Sequence, residues 1–150
     1  MSHYTEMITK IADATPFSPR MIEAICVVES AMNPWATRFE PRWRWFVSPK
    51  AWSKRVGITE RTEHVHQQTS WGLLQPLGAV CRELGYKGPL PALCDPCTGL
   101  TWGVTKLLDI KQRHPLYTID QILQSYNAGH PGTAAGKRYS RKVMEVWGTI

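Results

Sequence analysis

Apolar residues recur at helical spacing along most of this chain, and they divide it into predicted elements. Met7, Ile8 and Ile11 share one face of a first helix over 2–13, which Thr15-Pro16-Phe17 breaks. Ser18 and Pro19 have the chemistry of an N-cap and a first helical position, so a second helix is predicted over about 19–31. On it, Met21, Ile25 and Val28 fall at i, i+4 and i+7, and Glu29 follows Ile22 and Ile25 at i+7 and i+4. Pro34 cannot continue a helix and disfavours helical geometry at Asn33, so the helix should end just past Glu29. Further helices are predicted at 77–84, at 98–112 (Leu100, Val104, Leu107, Leu108, Ile110), at 119–127 and at 136–147. Thr118 and Gln121 form a capping box for the helix at 119–127, and Gly129 is its stop. No run of alternating strand residues stands out. The prediction is a mainly α protein.

Residues 37–69 break the pattern. They are polar, basic and irregular, with room for one short β-hairpin. Arg and aromatic residues alternate through Arg38-Phe39-Glu40-Pro41-Arg42-Trp43-Arg44-Trp45-Phe46. That composition suits a nucleic-acid stacking surface, the wall of a saccharide groove, or a loop packed by its own aromatics. Glu60, Glu63, His64 and His66 match no metal-binding spacing and read as solvated loop.

Length and composition narrow the class. A chain of 150 residues with 43% hydrophobic content forms one domain able to bury a core. No apolar run approaches the roughly 20 residues that span a bilayer, so no stable membrane insertion is expected. The first residues carry neither a basic n-region nor an apolar core, so no secretory leader is expected, and delivery to an outside substrate would need another route. A net charge of +6 suits an anionic partner: nucleic acid, a membrane surface or an acidic cell-wall polymer. Seven tryptophans add stacking faces. Of the cysteines, Cys26 reads as a small buried hydrophobe, and Cys94-Asp95-Pro96-Cys97 has CxxC spacing without a second ligand pair. No metal or cofactor is expected; a disulfide among Cys81, Cys94 and Cys97 stays open for an oxidising compartment.

Candidate chemistry centres on Glu29. A carboxyl at the lip of a core, near a helix C-terminus, is held towards its neutral form by desolvation and by the dipole. A general acid near neutral pH needs that. Glu29-Ser30-x-x-Asn33-Pro34-x-Ala36, Gly72-Leu73-Leu74-Gln75 and Tyr126-Asn127-Ala128-Gly129 follow in this order, with Asp95-Pro96 between them and Tyr139-Ser140-Arg141-Lys142-Val143 after. Together they resemble the lytic transglycosylases of the soluble-lytic-transglycosylase type, in the lysozyme-like superfamily, over about residues 18–147. The Arg/Trp run at 38–45 resembles versions carried by phages and prophages.

The resemblance implies a lysozyme-like helical domain with a substrate groove. It implies a monomer acting on peptidoglycan glycan strands, not on nucleic acid, as a phage lysis enzyme or virion component made in the cytoplasm. The implied reaction cleaves the β-1,4 bond between N-acetylmuramic acid and N-acetylglucosamine. Glu29 would protonate the glycosidic oxygen and then take the proton of the muramic C6 hydroxyl, which closes on C1 to give a 1,6-anhydro end. The substrate's acetamido group would stabilise C1, the recognised exception to a two-carboxylate site.

Gln75 matches the groove glutamine, and Tyr126 the tyrosine whose hydroxyl lies near the acid. Asn127 matches a site-shaping residue, or serves as a helix-end hydrogen bonder. Ser30, Glu40, Ser70 and Gly72 complete the expected substrate-binding set, with Ser30 and Asn33 steadying the turn and Gly72 allowing close approach. The gap between Ala36 and Gly72 is far longer than in the family, Arg38 falls where a serine is expected, Ala135 replaces a glutamate of some members, and Leu74 replaces methionine. A rebuilt groove wall allows a second outcome, hydrolysis by a muramidase with a loop carboxylate. Glu40 leads that set, ahead of Glu60 and Glu63. A basic nucleic-acid-binding module and a silent cell-wall-binding domain are the non-enzymatic alternatives.

Overall fold

The helix that carries Glu29 lies at the centre of the packing. In the computed structural model, which describes residues 2–150, α1 spans Thr5–Ala12 and α2 spans Pro19–Ser30. Met21, Ile22, Ala24, Ile25 and Cys26 of α2 are all fully buried. Two consecutive left-handed residues end α2, Ala31 (φ 51°) and Met32 (φ 62°), rather than Pro34. Such conformations are costly outside glycine, and here the Ala31 N–H returns to the carbonyls of Cys26 and Val27.

Four helices follow residue 71. They are α5 (Gly78–Glu83), α6 (Pro96–Arg113), α7 (Ile119–Ala128) and α8 (Ala134–Thr149), and a 3-10 turn at Leu90–Cys94 precedes α6. α8 packs on α2 and α7, and α6 on α7 and α1. Their shared core contains Ile22, Ile25, Leu74, Leu100, Leu107 and Leu123. Gly103 lets α6 lie directly on Leu74, because a Cβ there would meet the Leu74 Cβ at 2.5 Å. The capping box of α7 forms as its sequence requires, and Gly129 stops the helix at φ 86°. Asp95 caps α6 through the Thr98 N–H, whereas Ser18 makes no side-chain cap on α2.

Residues 37–69 correct the sequence reading. They hold two helices, α3 (Pro49–Val56) and α4 (Glu60–Gln67), and open with strand β1 (Thr37–Phe39). β1 pairs antiparallel with β2 (Thr69–Trp71), Phe39 opposite Thr69, so the expected hairpin is two strands that flank the insertion. The protein is therefore mainly helical with one small sheet.

Glu63 is not solvated. It is fully buried on α4 and receives two hydrogen bonds from Arg82 of α5, Nε to Oε1 at 2.7 Å and Nη2 to Oε2 at 3.1 Å. Arg82 also donates to the carbonyls of Tyr86 and Gly88, and its guanidinium lies 4.4 Å from the Trp52 ring centre. A buried charge pair of this kind needs every polar atom answered, and this one largely has that. α4 escaped periodicity because its inward positions, Glu63 and Gln67, are polar.

All four thiols are free, with Cys97 exposed and the others buried. Burial pushes the Cys81 thiol up to about 12, and Cys26 is pushed up further. Among the described residues, no helix is long and apolar enough to cross a membrane. None of their His, Cys, Asp and Glu side chains group in threes to hold a metal.

Candidate active site

A groove of about 610 Å³ opens between α2, α6 and α7 on one side and the start of the insertion on the other. Glu29, Glu40, Ser70, Gln75, Tyr126 and Asn127 all line it. Residues far apart in sequence thus meet in one cleft. Ser30 and Gly72 do not line it.

Glu29 is the last residue but one of α2, and the left-handed pair after it turns the chain away from the carboxyl. The Tyr139 hydroxyl of α8 donates to Glu29 Oε1 at 2.8 Å. Burial raises the Glu29 carboxyl above the usual carboxylate range; the Tyr139 hydrogen bond and the charges of Lys106 and Arg38 pull the other way. Burial and the neighbouring Glu29 hold the Tyr139 phenol well above its ordinary value, so it stays a donor.

The tyrosine beside the acid is therefore Tyr139, not Tyr126. The Tyr126 hydroxyl donates to the Leu74 carbonyl instead, at 2.5 Å, and ties α7 to the Gly72–Gln75 turn. Tyr126 still serves the site through its backbone and its ring. Lys106 Nζ donates to the Tyr126 carbonyl at 2.7 Å and lies 4.1 Å from its ring centre. Lys106 also lines the groove. Burial lowers its ammonium pKa, while the Glu29 charge raises it. The sequence did offer a signal for it. Lys106 stands three residues after Gly103 and four before Ile110, both buried, so a cation occupies the edge of an apolar stripe.

Gln75 is held in a left-handed conformation (φ 50°), and its Nε2 donates to the carbonyls of Ala36 (2.8 Å) and Gly72 (2.9 Å). Non-glycine backbone in this region is over-determined by its surroundings and concentrates at functional sites. With Nε2 so engaged, Oε1 is the atom Gln75 offers to a ligand donor. Gly72, at φ 73°, serves the scaffold: a Cβ there would meet the Leu93 carbonyl oxygen at 2.5 Å. The Ser30 hydroxyl lies 2.9 and 2.8 Å from the carbonyls of Cys26 and Leu73, joining α2 to the same turn. The turn that Asn33 was expected to steady is closed by its Oδ1, which accepts from the Trp35 N–H.

The opposite wall comes from the Arg/Trp run. Arg38, Glu40, Arg42, Trp43 and Trp45 line the groove, and Arg38 Nε pairs with Glu40 Oε1 at 2.9 Å. Glu60 lies in the first turn of α4, exposed, and Glu63 is committed to Arg82; neither lines the groove.

Comparison with family models, with curated proteins and with solved structures found no match to this chain. The site's own chemistry carries the reading.

Proposed function

We propose that this protein is a lytic transglycosylase of lysozyme-like architecture, cleaving the bond between N-acetylmuramic acid and N-acetylglucosamine. The observation that carries the reading is Glu29: a carboxyl kept towards its neutral form by burial, hydrogen-bonded by Tyr139 and opening on a groove of saccharide size. A general acid must hold its proton at working pH and release it during bond cleavage. Burial supports the first requirement. The Tyr139 hydroxyl, Lys106 and Arg38 support the second, since each favours the carboxylate left behind. Because Oε1 accepts from Tyr139, Oε2 is the oxygen that carries and delivers the proton. The same carboxylate then accepts the proton of the muramic C6 hydroxyl as it closes on C1. No water enters the product. Aromatic faces at Trp43 and Trp45 and the free oxygen of Gln75 offer the contacts that sugar rings and acetamido N–H groups need. Glycan strands are the proposed partner, reached as a phage-type lysis or virion enzyme.

A second reading, hydrolysis by a muramidase, rests on Glu40. Its carboxylate pairs with Arg38 in the same groove, and in this reading it orients the attacking water. Mass spectrometry of muropeptides released from purified peptidoglycan separates the two. Anhydro products, one water lighter than their muramidase counterparts and lost in Glu29→Gln, are expected. Hydrated reducing ends that vanish in Glu40→Gln would replace the first reading with the second. The expected loss in Glu29→Gln is about a hundred- to ten-thousand-fold, the usual contribution of a general acid.

A further inference from the structure

The strap from Glu40 to Val47 exposes side chains that a free-standing loop has no reason to hold still. Trp45 is 71% exposed, and Arg42 is exposed with no ion-pair partner among the described residues. Yet the backbone beneath them is fixed by two buried amides. Gln68 Nε2 donates to the carbonyls of Pro41 and Trp43, and the Gln68 carbonyl accepts from the Glu40 N–H at 2.7 Å. Gln67, fully buried, exchanges two hydrogen bonds with Val47, its Oε1 accepting from the Val47 N–H and its Nε2 donating to the Val47 carbonyl. Trp43 Nε1 donates to the Trp45 carbonyl at 2.7 Å, and the two rings meet edge to face at 5.2 Å. The strap is thus ordered from below while its aromatic and cationic groups face the groove.

We propose that Arg42 and Trp45 form a specificity subsite for an N-acetylated sugar that bears a carboxylate, the ring on Trp45 and the carboxylate on Arg42. The proposal rests on the glycan-cleaving reading above and names what that groove selects. Of the cations Arg38, Arg42 and Arg113 in the groove, Arg38 is paired with Glu40 and Arg113 with Asp109. Lys106 is occupied by the Tyr126 carbonyl and ring. Arg42 is therefore the guanidinium with its donor fork free for a planar carboxylate, the geometry arginine serves best. Trp45, on the same strap and packed against the Trp43 ring, supplies an apolar face, held in advance so that less ordering entropy is lost on binding. In peptidoglycan the carboxylate has two sources, the stem peptide or the bare lactyl group of a stripped strand.

The test is steady-state kinetics of the wild type, Arg42→Ala and Trp45→Ala on three substrates: peptide-bearing strands, amidase-stripped strands and a neutral chitin oligosaccharide. Both changes are on the surface, and a thermal melt checks that each variant folds. Arg42→Ala is expected to raise KM about two- to five-fold on carboxylate-bearing strands, the range of an exposed ion pair, with kcat unchanged and no effect on the chitin oligosaccharide. A rise confined to peptide-bearing strands assigns the carboxylate to the stem. A rise confined to stripped strands assigns it to the lactyl group, which is an amide while the stem is attached. A rise on both means that Arg42 accepts either carboxylate. Trp45→Ala is expected to raise KM on all substrates that are cleaved. An unchanged KM in both variants, or an equal rise on the chitin oligosaccharide in Arg42→Ala, overturns the subsite and leaves the glycan-cleaving reading intact. Failure of the wild type to cleave any of the strands overturns the reading itself. Salt-sensitive binding of a single-stranded oligodeoxythymidine, lost in the same two variants, overturns the subsite in favour of a nucleic-acid surface.

Discussion

The two walls of the groove are held by different physics. The wall that carries Glu29 is built from helices whose buried stripes are aliphatic: Met21, Ile22 and Ile25 on α2, Leu100, Val104 and Leu107 on α6, Ile122 and Leu123 on α7. The facing wall, residues 37–69, hangs on polar groups placed inside: the Glu63–Arg82 pair and the amides of Gln67 and Gln68. An aliphatic wall loses stability gradually as methyl groups are removed, with costs set by the cavity left behind. A polar wall fails abruptly, because one missing partner leaves a buried charge unanswered. Glu29 sits on the tolerant wall, and the proposed sugar-selecting strap on the brittle one.

Glu63→Ala gives the largest effect that can break this contrast. It strands the Arg82 guanidinium in the interior, and a loss of about 3–5 kcal/mol in unfolding free energy is expected by denaturant titration. The double change Glu63→Met with Arg82→Met should recover part of that loss, since apolar side chains of similar volume replace the ion pair at little cost while the Tyr86 and Gly88 carbonyls lose their donor. A Glu63→Ala loss no larger than that of an exposed glutamate such as Glu60 would end the comparison.

Next comes Tyr139→Phe, on the helical wall. The hydroxyl favours the Glu29 carboxylate, so removing it raises the Glu29 pKa further. Activity that needs protonated Glu29 falls as pH rises through that pKa. The alkaline limb of the kcat profile should therefore move to higher pH, with kcat itself down about ten-fold for one hydrogen bond to a charged group. Lys106→Met shifts the same limb in the same direction by less, because its charge acts at longer range than a hydrogen bond. An alkaline limb that moved down in either variant would contradict the roles of both residues.

The legibility of the chain follows the same division. α1, α2, α6, α7 and α8 announce themselves because their inward residues are aliphatic at helical spacing, and the Thr118–Gln121 box and Gly129 mark α7 at both ends. α3 and α4 stayed hidden, although Ser48-Pro49, Gly57 and Thr59 sit where helix starts and stops should be. Glu63 and Gln67 occupy the inward positions of α4, and a polar residue at an inward position looks like surface until its partner, nineteen residues away at Arg82, is known. Glu29, Gln75 and the Arg/Trp run were legible as groove residues. The exchange of Tyr126 for Tyr139 was not, since both tyrosines lie on buried helix faces and only the packing of α8 on α2 decides which hydroxyl reaches the carboxyl.

The smallest effect concerns stability rather than rate. Because burial raises the Glu29 pKa in the folded protein, its contribution to stability is fully present below the unfolded pKa and is lost as pH rises through the folded value. Glu29→Gln removes that loss. The variant should melt slightly above the wild type at neutral pH, with the difference closing in acid. A wild type that melts above Glu29→Gln at neutral pH would mean that the carboxylate is welcome where it sits.

The pairing of Phe39 with Thr69 has a consequence for engineering. Opposed residues of an antiparallel pair stand about 5 Å apart, so the ends of residues 40–68 are already joined across the sheet. Everything between them is a cassette on a closed frame. Doubling such a loop's length adds only about 0.6 kcal/mol of closure entropy. A replacement wall of another length can be grafted there, provided it brings a carboxylate for Arg82 to hold.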